Sequence, residues 1–238
     1  MTVASALARW WRENRKHRSF WQAVRLFASE MKEFIRDSTP ERRRGRYGDI
    51  EYDFDTGADT TSANVDWRDR LVAALVGPGY QPCDPALFRE TLAMLNVDFR
   101  GFTFVDIGSG KGRALLMAAE HPFRRVIGVE ILPQLHAIAE KNLATFTDGR
   151  QCDNVVSLCM DAARFEFPEE PLVWFLFNPL PEPALKQVAA RVAASLDRRP
   201  RTAYLIYHNP VLEHVFSNDP RWQRLGGTLQ FCVYRNRM

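Results

Sequence analysis

Four acidic or amide side chains, Asp106, Glu130, Asp161 and Asn178, each follow a short apolar run of this chain. Each run predicts a buried strand, so each polar side chain marks the end of a strand. Carboxylates and amides have no packing role there, but they can accept hydrogen bonds from hydroxyl, amino or ammonium groups of a ligand. A single one would be read as a turn residue. Four in register predict a ligand site.

A glycine-rich turn follows the first of these runs, which covers residues 102–107. Gly108, Gly110 and Gly112 occupy alternate positions, and residues 111–120 predict a helix of strong helix formers. Glycine allows a sharp turn and a close approach of a ligand to the backbone, and N–H groups at a helix start favour an anionic group. Dinucleotide-binding proteins use G-x-G-x-x-G instead, so the spacing argues against a nicotinamide oxidoreductase.

Strands and helices alternate after residue 100, which predicts an α/β fold with a doubly wound, mostly parallel sheet. The predicted strands are 102–107, 125–130, 155–159, 172–177 and 202–207, followed by a pair at 222–225 and 228–234 joined by Gly226 and Gly227. This pair would complete a seven-stranded sheet with an antiparallel last strand. Ligands of such sheets bind outside the carboxyl ends of the strands, so the four polar residues would share one edge.

The N-terminal part of the chain is basic and predicts helix over residues 4–37, because Phe20, Val24, Phe27 and Met31 recur at helical spacing. Residues 1–46 carry 12 of the 32 Lys and Arg residues but only 5 of the 29 Asp and Glu residues. We therefore predict a basic amphipathic helical extension at 1–46, a lid or connector at 47–82, and the α/β domain at 83–238. The extension would pack on the domain, form a homodimer, or dock on a membrane surface or nucleic acid.

The connector contains alternating carboxylates at Glu51, Asp53 and Asp55. A calcium loop starting at Glu51 would need Gly and Glu where Thr56 and Ser62 stand, so that type of site is rejected. The segment is interpreted as a loop that borders the ligand site. Tyr80, just ahead of the α/β domain, is a candidate for the lip of the substrate pocket.

Composition excludes several other classes of protein. The four cysteines, at positions 83, 152, 159 and 232, form no C-x-x-C pair, so neither a zinc site nor a disulfide framework is indicated. No uncharged apolar run approaches the roughly 18 residues of a membrane span, and charged residues interrupt the N-terminal segment where a secretory signal would be apolar. We expect a cytoplasmic protein with reduced thiols and no metal.

The motif that starts at Asp106, an acid followed by G-x-G-x-G, resembles the first motif of the class I S-adenosylmethionine-dependent methyltransferases. G-S-G-K-G-R running into Leu-Leu, with a later G-V-E ending at Glu130, is similar to class I protein-lysine methyltransferases. The resemblance covers roughly residues 80–238. It implies a Rossmann-like fold, S-adenosylmethionine as cofactor, and in-line transfer of a methyl group to a nucleophile.

The resemblance also implies roles for single residues. The loop would wrap the methionyl part of the cofactor, Asp106 would lie near its ammonium group, and Glu130 would accept the ribose hydroxyls. Asp161 would accept from the adenine amino group, between Ala162 and Ile131 on the ring faces, and Lys111 or Arg113 would hold the carboxylate. The implied cofactor-binding set is Asp106, Gly108, Ser109, Gly110, Gly112, Arg113, Glu130, Ile131, Asp161, Ala162 and Asn178.

Asn178 is the candidate catalytic residue, because many amino-group methyltransferases carry N-P-P-aromatic at this strand end, where the Asn orients the target nitrogen. Leu180 and Pro181 replace the second proline and the aromatic residue here, which argues against an adenine base or a glutamine amide as acceptor and leaves protein lysines and small molecules open. An RNA methyltransferase that uses the basic arm, and a cofactor-binding scaffold without catalysis, are the alternatives. No triad or metal is required, and His208 is a second candidate, as a base.

Overall fold

The structure, a computed structural model, describes residues 3–16, 18–37, 50–61, 71, 82–177 and 180–237. Tyr80 and Asn178, the predicted lip and catalytic residues, lie outside these residues. The chain forms two compact units, one made of residues 1–49 and 61–81 and the other of residues 50–60 and 82–238. The boundaries at 46 and 82 stay a prediction. Within the described residues, no helix combines the length and the apolar character needed to cross a membrane.

The described part of the first unit contains two helices, α1 (Val3–Arg15) and α2 (Phe20–Asp37), where the sequence predicted one. A capping box explains the break: Ser19 Oγ accepts from the Gln22 N–H (3.3 Å) and Gln22 Oε1 accepts from the Ser19 N–H (2.9 Å). Trp10 of α1 is buried, and its indole N–H donates to Glu30 of α2 at 2.7 Å. The two helices therefore have a small core of their own.

The second unit is a seven-stranded sheet with helices on both faces. Its helices are α3 (Ile50–Thr56), α4 (Pro85–Ala93), α5 (Arg113–Ala119), α6 (Pro133–Thr145), α7 (Glu182–Arg198) and α8 (His214–Ser217). Its strands are β1 (Thr103–Ile107), β2 (Arg125–Glu130), β3 (Val155–Cys159), β4 (Leu172–Phe177), β5 (Ala203–His208), β6 (Trp222–Gly227) and β7 (Phe231–Asn236). The spatial order is β3-β2-β1-β4-β5-β7-β6, with β7 antiparallel to both neighbours. The predicted doubly wound fold is confirmed.

Alternate residues of the central strands enter two separate cores. On one face, Phe104 and Phe175 pack with Phe88 of α4 and the apolar side of α5. On the other face, Val105 and Trp174 pack with α7. Because both faces are covered, every residue of β1 is buried, which is why these strands read as continuous apolar runs.

The closing hairpin turns later than the sequence predicted. Gly226 and Gly227, predicted as the turn, still pair with Val233 and Cys232, and the register shifts between Arg224 and Gly226. The turn comes at residues 228–230, where the Thr228 N–H donates to the Phe231 carbonyl at 2.8 Å. The shift takes up an extra residue in β6 and moves the start of the last strand from the predicted 228 to Phe231.

We predict that Leu115 and Ser109 can pack against the middle of β2 only because residue 128 is a glycine. A Cβ at this position would lie 2.5 Å from Leu115 Cδ1 and 2.7 Å from Ser109 Oγ. Gly128→Ala should lower the free energy of unfolding by about 1–3 kcal/mol, because overpacking forces neighbours apart. Urea denaturation measures this, with Gly101→Ala as the control, since a Cβ there meets nothing within 4 Å. Equal stability of the two variants would contradict the prediction.

Candidate functional site

Two buried carboxyl groups lie at the carboxyl ends of adjacent strands. Asp106 of β1 is paired in register with Gly128 of β2, and Glu130 is the last residue of β2. Their exposed fractions are 3% and 6%. Burial raises the pKa of Asp106 well above its ordinary value, and the nearby Glu130 raises it further. Burial also raises the pKa of Glu130, although backbone N–H groups that donate to it act in the opposite direction.

The glycine-rich turn is bound to the end of β2 through its backbone. The N–H groups of Gly108 and Ser109 donate to the Val129 carbonyl at 2.8 and 3.1 Å. The Gly110 N–H donates to Glu130 Oε2 at 2.8 Å, and the Leu132 N–H donates to Oε1 at 2.8 Å. These three turn N–H groups, which the sequence assigned to an anionic ligand, thus have acceptors within the protein.

The backbone conformation of the turn explains why its glycines occupy alternate positions. Gly108, Gly110 and Gly112 have φ values of +78°, +55° and +87°. Side chains with a Cβ rarely adopt this left-handed region, so alternate positions need glycine. We call residues 108–113 the Gly loop.

Two cations of the Gly loop point to segment 50–60. Lys111 Nζ lies 2.8 Å from Asp59 Oδ1, and Arg113 Nη2 lies 3.1 Å from Asp53 Oδ1. Lys111 is fully buried and Arg113 is 3% exposed. Arg113 was predicted to hold the carboxylate of a cofactor, as an alternative to Lys111; in this structure both pair with carboxylates of the chain itself.

This arrangement suits a ligand that carries positive charge and hydroxyl groups. Asp106 and Glu130 bring two buried carboxyl groups together, while the cations of the Gly loop are directed to other carboxylates. A cationic group next to Asp106 would offset the cost of burying its charge. Glu130 accepts two N–H groups, and a carboxylate has about four acceptor positions, so it can also accept hydroxyl groups. The two carboxyl groups therefore form a set of acceptors that fits the ammonium and ribose hydroxyls of S-adenosylmethionine.

The residues that follow β3 and β2 add a third carboxylate and an apolar surface to this edge of the sheet. Asp161 Oδ1 accepts from the Ala163 N–H at 2.8 Å and starts a short 3-10 turn, Ala162–Arg164. Ala162 is buried, whereas Ile131, just after β2, is 60% exposed despite being apolar. An exposed isoleucine beside the two carboxylates is a surface on which a flat ring can pack.

His208 is placed in the core at the end of β5. It is 1% exposed, and its Nε2 lies 3.1 Å from Thr91 Oγ1. Its ring packs edge-on against Phe175 and Phe177. Burial lowers its pKa to about 4, so the imidazole is neutral near pH 7 and is placed as a core residue. Among the residues that the structure describes, no three His, Cys, Asp or Glu side chains form a metal-binding group.

Segment 50–60 contains a helix and forms ion pairs that sequence reasoning missed. It was predicted as a loop, but it contains helix α3 and contacts the Gly loop through Asp53, Asp59 and Thr60. A signal was present in the sequence: Lys111 and Arg113 come directly before a run of apolar helix residues, all of which are buried. Cations at the start of a buried helix need acceptors inside the fold.

Comparison with known proteins finds a family model that matches part of the α/β unit. Residues 104–199 match the family model described as "Methyltransferase domain". This range starts in β1 and ends just after α7, so it includes Asp106, the Gly loop, Glu130 and Asp161. No curated protein sequence matches the chain at a significant level.

Several solved structures are similar in fold. A predicted N6-adenine-specific DNA methylase from Listeria monocytogenes is 15% identical over 67% of this chain, with a TM-score of 0.50, and the chain covers 52% of its length. An RNA methyltransferase from Salinibacter ruber, solved with S-adenosyl-L-homocysteine, is 21% identical; the match covers 65% of this chain and 91% of that one, with a TM-score of 0.44. A ribosomal protein L11 methylase from Lactobacillus delbrueckii is 14% identical (62% and 75% covered, TM-score 0.45).

Proposed function

Because residues 104–199 match a methyltransferase domain, we propose that this chain is a class I S-adenosylmethionine-dependent methyltransferase. We propose that it methylates a nitrogen nucleophile, with lysine amines of proteins as the first acceptor class. The buried carboxyl pair Asp106 and Glu130 is the observation that carries the assignment of the cofactor site. S-adenosylmethionine supplies a methyl group on a sulfonium, which is already an activated electrophile.

The roles proposed for the binding residues follow from their positions. Asp106 receives the ammonium group of the cofactor, and Glu130 receives the ribose hydroxyls while it keeps the Gly110 N–H. Asp161 accepts the adenine amino group through the carboxylate oxygen that does not bind the Ala163 N–H. Ile131 and Ala162 pack on the two faces of the ring. The task left to the protein is to align the acceptor and exclude water.

The proposed acceptor position is beside the end of β4. Ile107 of β1 is paired in register with Leu176 of β4, so β4 ends beside the point where the chain enters the Gly loop. Asn178 comes directly after this strand, and we propose that its amide oxygen orients the target nitrogen. His208 is neutral and buried, so deprotonation of a lysine ammonium is assigned to water rather than to this ring.

The test is transfer of a radiolabelled methyl group from S-adenosylmethionine to a cell lysate, followed by separate protease and nuclease digestion. We expect label in protein, recovered as methyl-lysine after acid hydrolysis, and loss of this label with Asn178→Ala. Label that nuclease releases would support the RNA alternative. Cofactor binding without label in protein, RNA or small molecules would support the non-catalytic scaffold and contradict our proposal.

The RNA alternative is favoured by one observation, the charge of the helical extension. Arg9, Arg12 and Arg15 of α1 are exposed, as are Arg25 and Lys32 of α2. Binding through such groups would weaken steeply with salt. Replacing the three arginines of α1 by Glu should abolish salt-sensitive RNA binding if this alternative holds. Unchanged binding would exclude the extension as the RNA-binding part.

The extension also exposes Phe20, Trp21 and Ile35, with exposed fractions of 52%, 71% and 64%. Exposed apolar groups of this size are typical of contact surfaces, and we propose that α2 docks on a second copy of the chain. The four cysteines are free thiols, which supports the proposed cytoplasmic location.

A further inference from the structure

Residues 52–60, which we call the strap, are joined to the Gly loop by two acid–cation pairs. Asp59 contacts Lys111 at 2.8 Å, and Asp53 contacts Arg113 at 3.1 Å. The two cations are buried, whereas the Asp59 side chain is 40% exposed. The strap therefore supplies the carboxylates that balance the charges of these two buried side chains of the Gly loop.

The strap and the Cys83 carbonyl together fix the guanidinium group of Arg113 on several sides. Thr60 Oγ1 accepts from Nε at 2.6 Å, and the Cys83 carbonyl accepts from Nη1 at 3.5 Å. The ring of Tyr52 lies 5.1 Å from Cζ, which is cation–π distance. Thr60 is itself held by Asp53, which accepts from its N–H at 2.8 Å. A planar group contacted on its edges and its face has one orientation.

Asn142 of α6 joins the strap and the Gly loop directly. Its Nδ2 donates to the Asp59 carbonyl at 3.0 Å and to the Lys111 carbonyl at 2.9 Å. Its Oδ1 accepts from the Asp59 N–H at 2.9 Å. One buried amide thus bonds to the backbone of both segments, so a displacement of the strap is transmitted to the backbone at Lys111.

We propose that the strap is a positioning element for the cofactor site and that Asp59 and Asp53 are its positioning residues. The inference rests on the proposed function and extends it to a segment outside the matched domain. The path is short: the strap holds Lys111 and Arg113, these residues flank Gly112, and the Gly110 N–H contacts Glu130 at 2.8 Å. A shift of the Gly loop therefore changes the hydrogen bonding of the carboxylate that receives the ribose.

Removing one member of an acid–cation pair takes the opposite charge away from a buried partner, which costs more than removing both. Asp59→Asn takes the carboxylate from the fully buried Lys111 and should let the Gly loop move. Lys111→Met alone leaves Asp59 without its ammonium partner. The double variant Asp59→Asn/Lys111→Met removes both charges. The three variants form a cycle in which the coupling between the two side chains is measured directly.

The experiment is calorimetric titration of the full chain with S-adenosylhomocysteine. We expect Asp59→Asn to weaken binding by about 10- to 100-fold, the range found when a partner that supports a metal ligand is removed. The double variant should bind more tightly than the product of the two single losses predicts. Asp197→Asn is the matched control, because Asp197, on α7, forms an exposed pair with Arg221 at 3.4 Å. This variant should bind S-adenosylhomocysteine as wild type does.

A purely structural role and a positioning role have different signatures. If the strap positions the Gly loop, Asp59→Asn should weaken binding of 5′-methylthioadenosine, which carries the ribose that Glu130 receives. It should weaken S-adenosylhomocysteine more, because the Gly loop would also contact the amino-acid part of that compound. Hydrogen exchange of residues 108–113 should quicken, and Asp59→Glu should restore most of the affinity. A folded Asp59→Asn protein with wild-type affinity would overturn the proposal.

Misfolding of Asp59→Asn and absence of binding by the wild type lead to different conclusions. If Asp59→Asn fails to fold, hydrogen exchange in the double variant Asp59→Asn/Lys111→Met decides: faster exchange at residues 108–113 supports the proposal, and exchange as in wild type overturns it. If folded wild-type protein binds neither compound, the proposed function has failed. The strap contacts can then still be tested by the effect of the same cycle on unfolding.

Discussion

Glu130→Ala is expected to lower the affinity for S-adenosylhomocysteine by at least about 100-fold, because bonds to a charged acceptor contribute about 1.5–3 kcal/mol each. In this structure the carboxylate accepts from the Gly110 and Leu132 N–H groups, and we propose that it also accepts the ribose hydroxyls. The substitution removes the proposed acceptor of the ribose hydroxyls. It also removes the acceptor of the Gly110 and Leu132 N–H groups. Glu130→Gln should also be impaired, because its amide can offer an oxygen to only one of the two N–H donors.

Equilibrium dialysis with radiolabelled cofactor measures both variants, and circular dichroism checks that they fold. Glu140→Ala is the control, since Glu140 is an acid on α6 whose side chain is 62% exposed. It should bind as wild type. Wild-type affinity of a folded Glu130→Ala protein would remove Glu130 from the site and, with it, the assignment of the β2 end to the ribose.

Asp106→Asn is expected to change stability and cofactor affinity in opposite directions. Burial and the neighbouring Glu130 raise the pKa of Asp106 well above 3.8. A carboxyl group of this kind favours the fold most when protonated, and this contribution is lost as pH rises through its raised pKa. The amide has no charge to bury, so the variant should be more stable than wild type by about 1–3 kcal/mol at a pH where wild-type Asp106 is ionised.

The sign of the pH dependence tests the same assignment. The stability difference between Asp106→Asn and wild type should widen as the pH rises from about 4 to about 8. Cofactor affinity of the wild type should rise over the same interval, because the ionised form of Asp106 is the one that attracts an ammonium group. Asp106→Asn should lose most of this affinity and its pH dependence.

Thermal unfolding at several pH values gives the first result, and titration in buffers of different ionisation enthalpy gives the proton release on binding. A less stable Asp106→Asn protein, or a wild-type affinity that falls as pH rises, would contradict the assignment.

The strands and their polar ends could be predicted from the sequence because their causes are local. Each central strand is buried on both faces, so it is a continuous apolar run, and Asp106 and Glu130 stand out against it. The Gly loop was equally readable, since three left-handed positions require three glycines. The turn of the last hairpin was misplaced because a shift of register, rather than residue type, decides where β6 ends.

The strap could not be predicted because its bonds join residues far apart in sequence. Asp53 and Arg113 are 60 positions apart, and Asp59 and Asn142 are 83 apart. Local patterns carry no information about such pairs. The sequence showed alternating carboxylates in one segment and two cations in another, but only the fold shows that Asp53 and Asp59 belong with Arg113 and Lys111.

The most direct test of the central claim, that Asp106 and Glu130 form the cofactor site at the ends of β1 and β2, is calorimetric titration of the wild-type chain with S-adenosylhomocysteine. We predict one binding site with micromolar affinity that Glu130→Ala abolishes. Absence of binding by wild-type protein that circular dichroism shows to be folded would contradict the account.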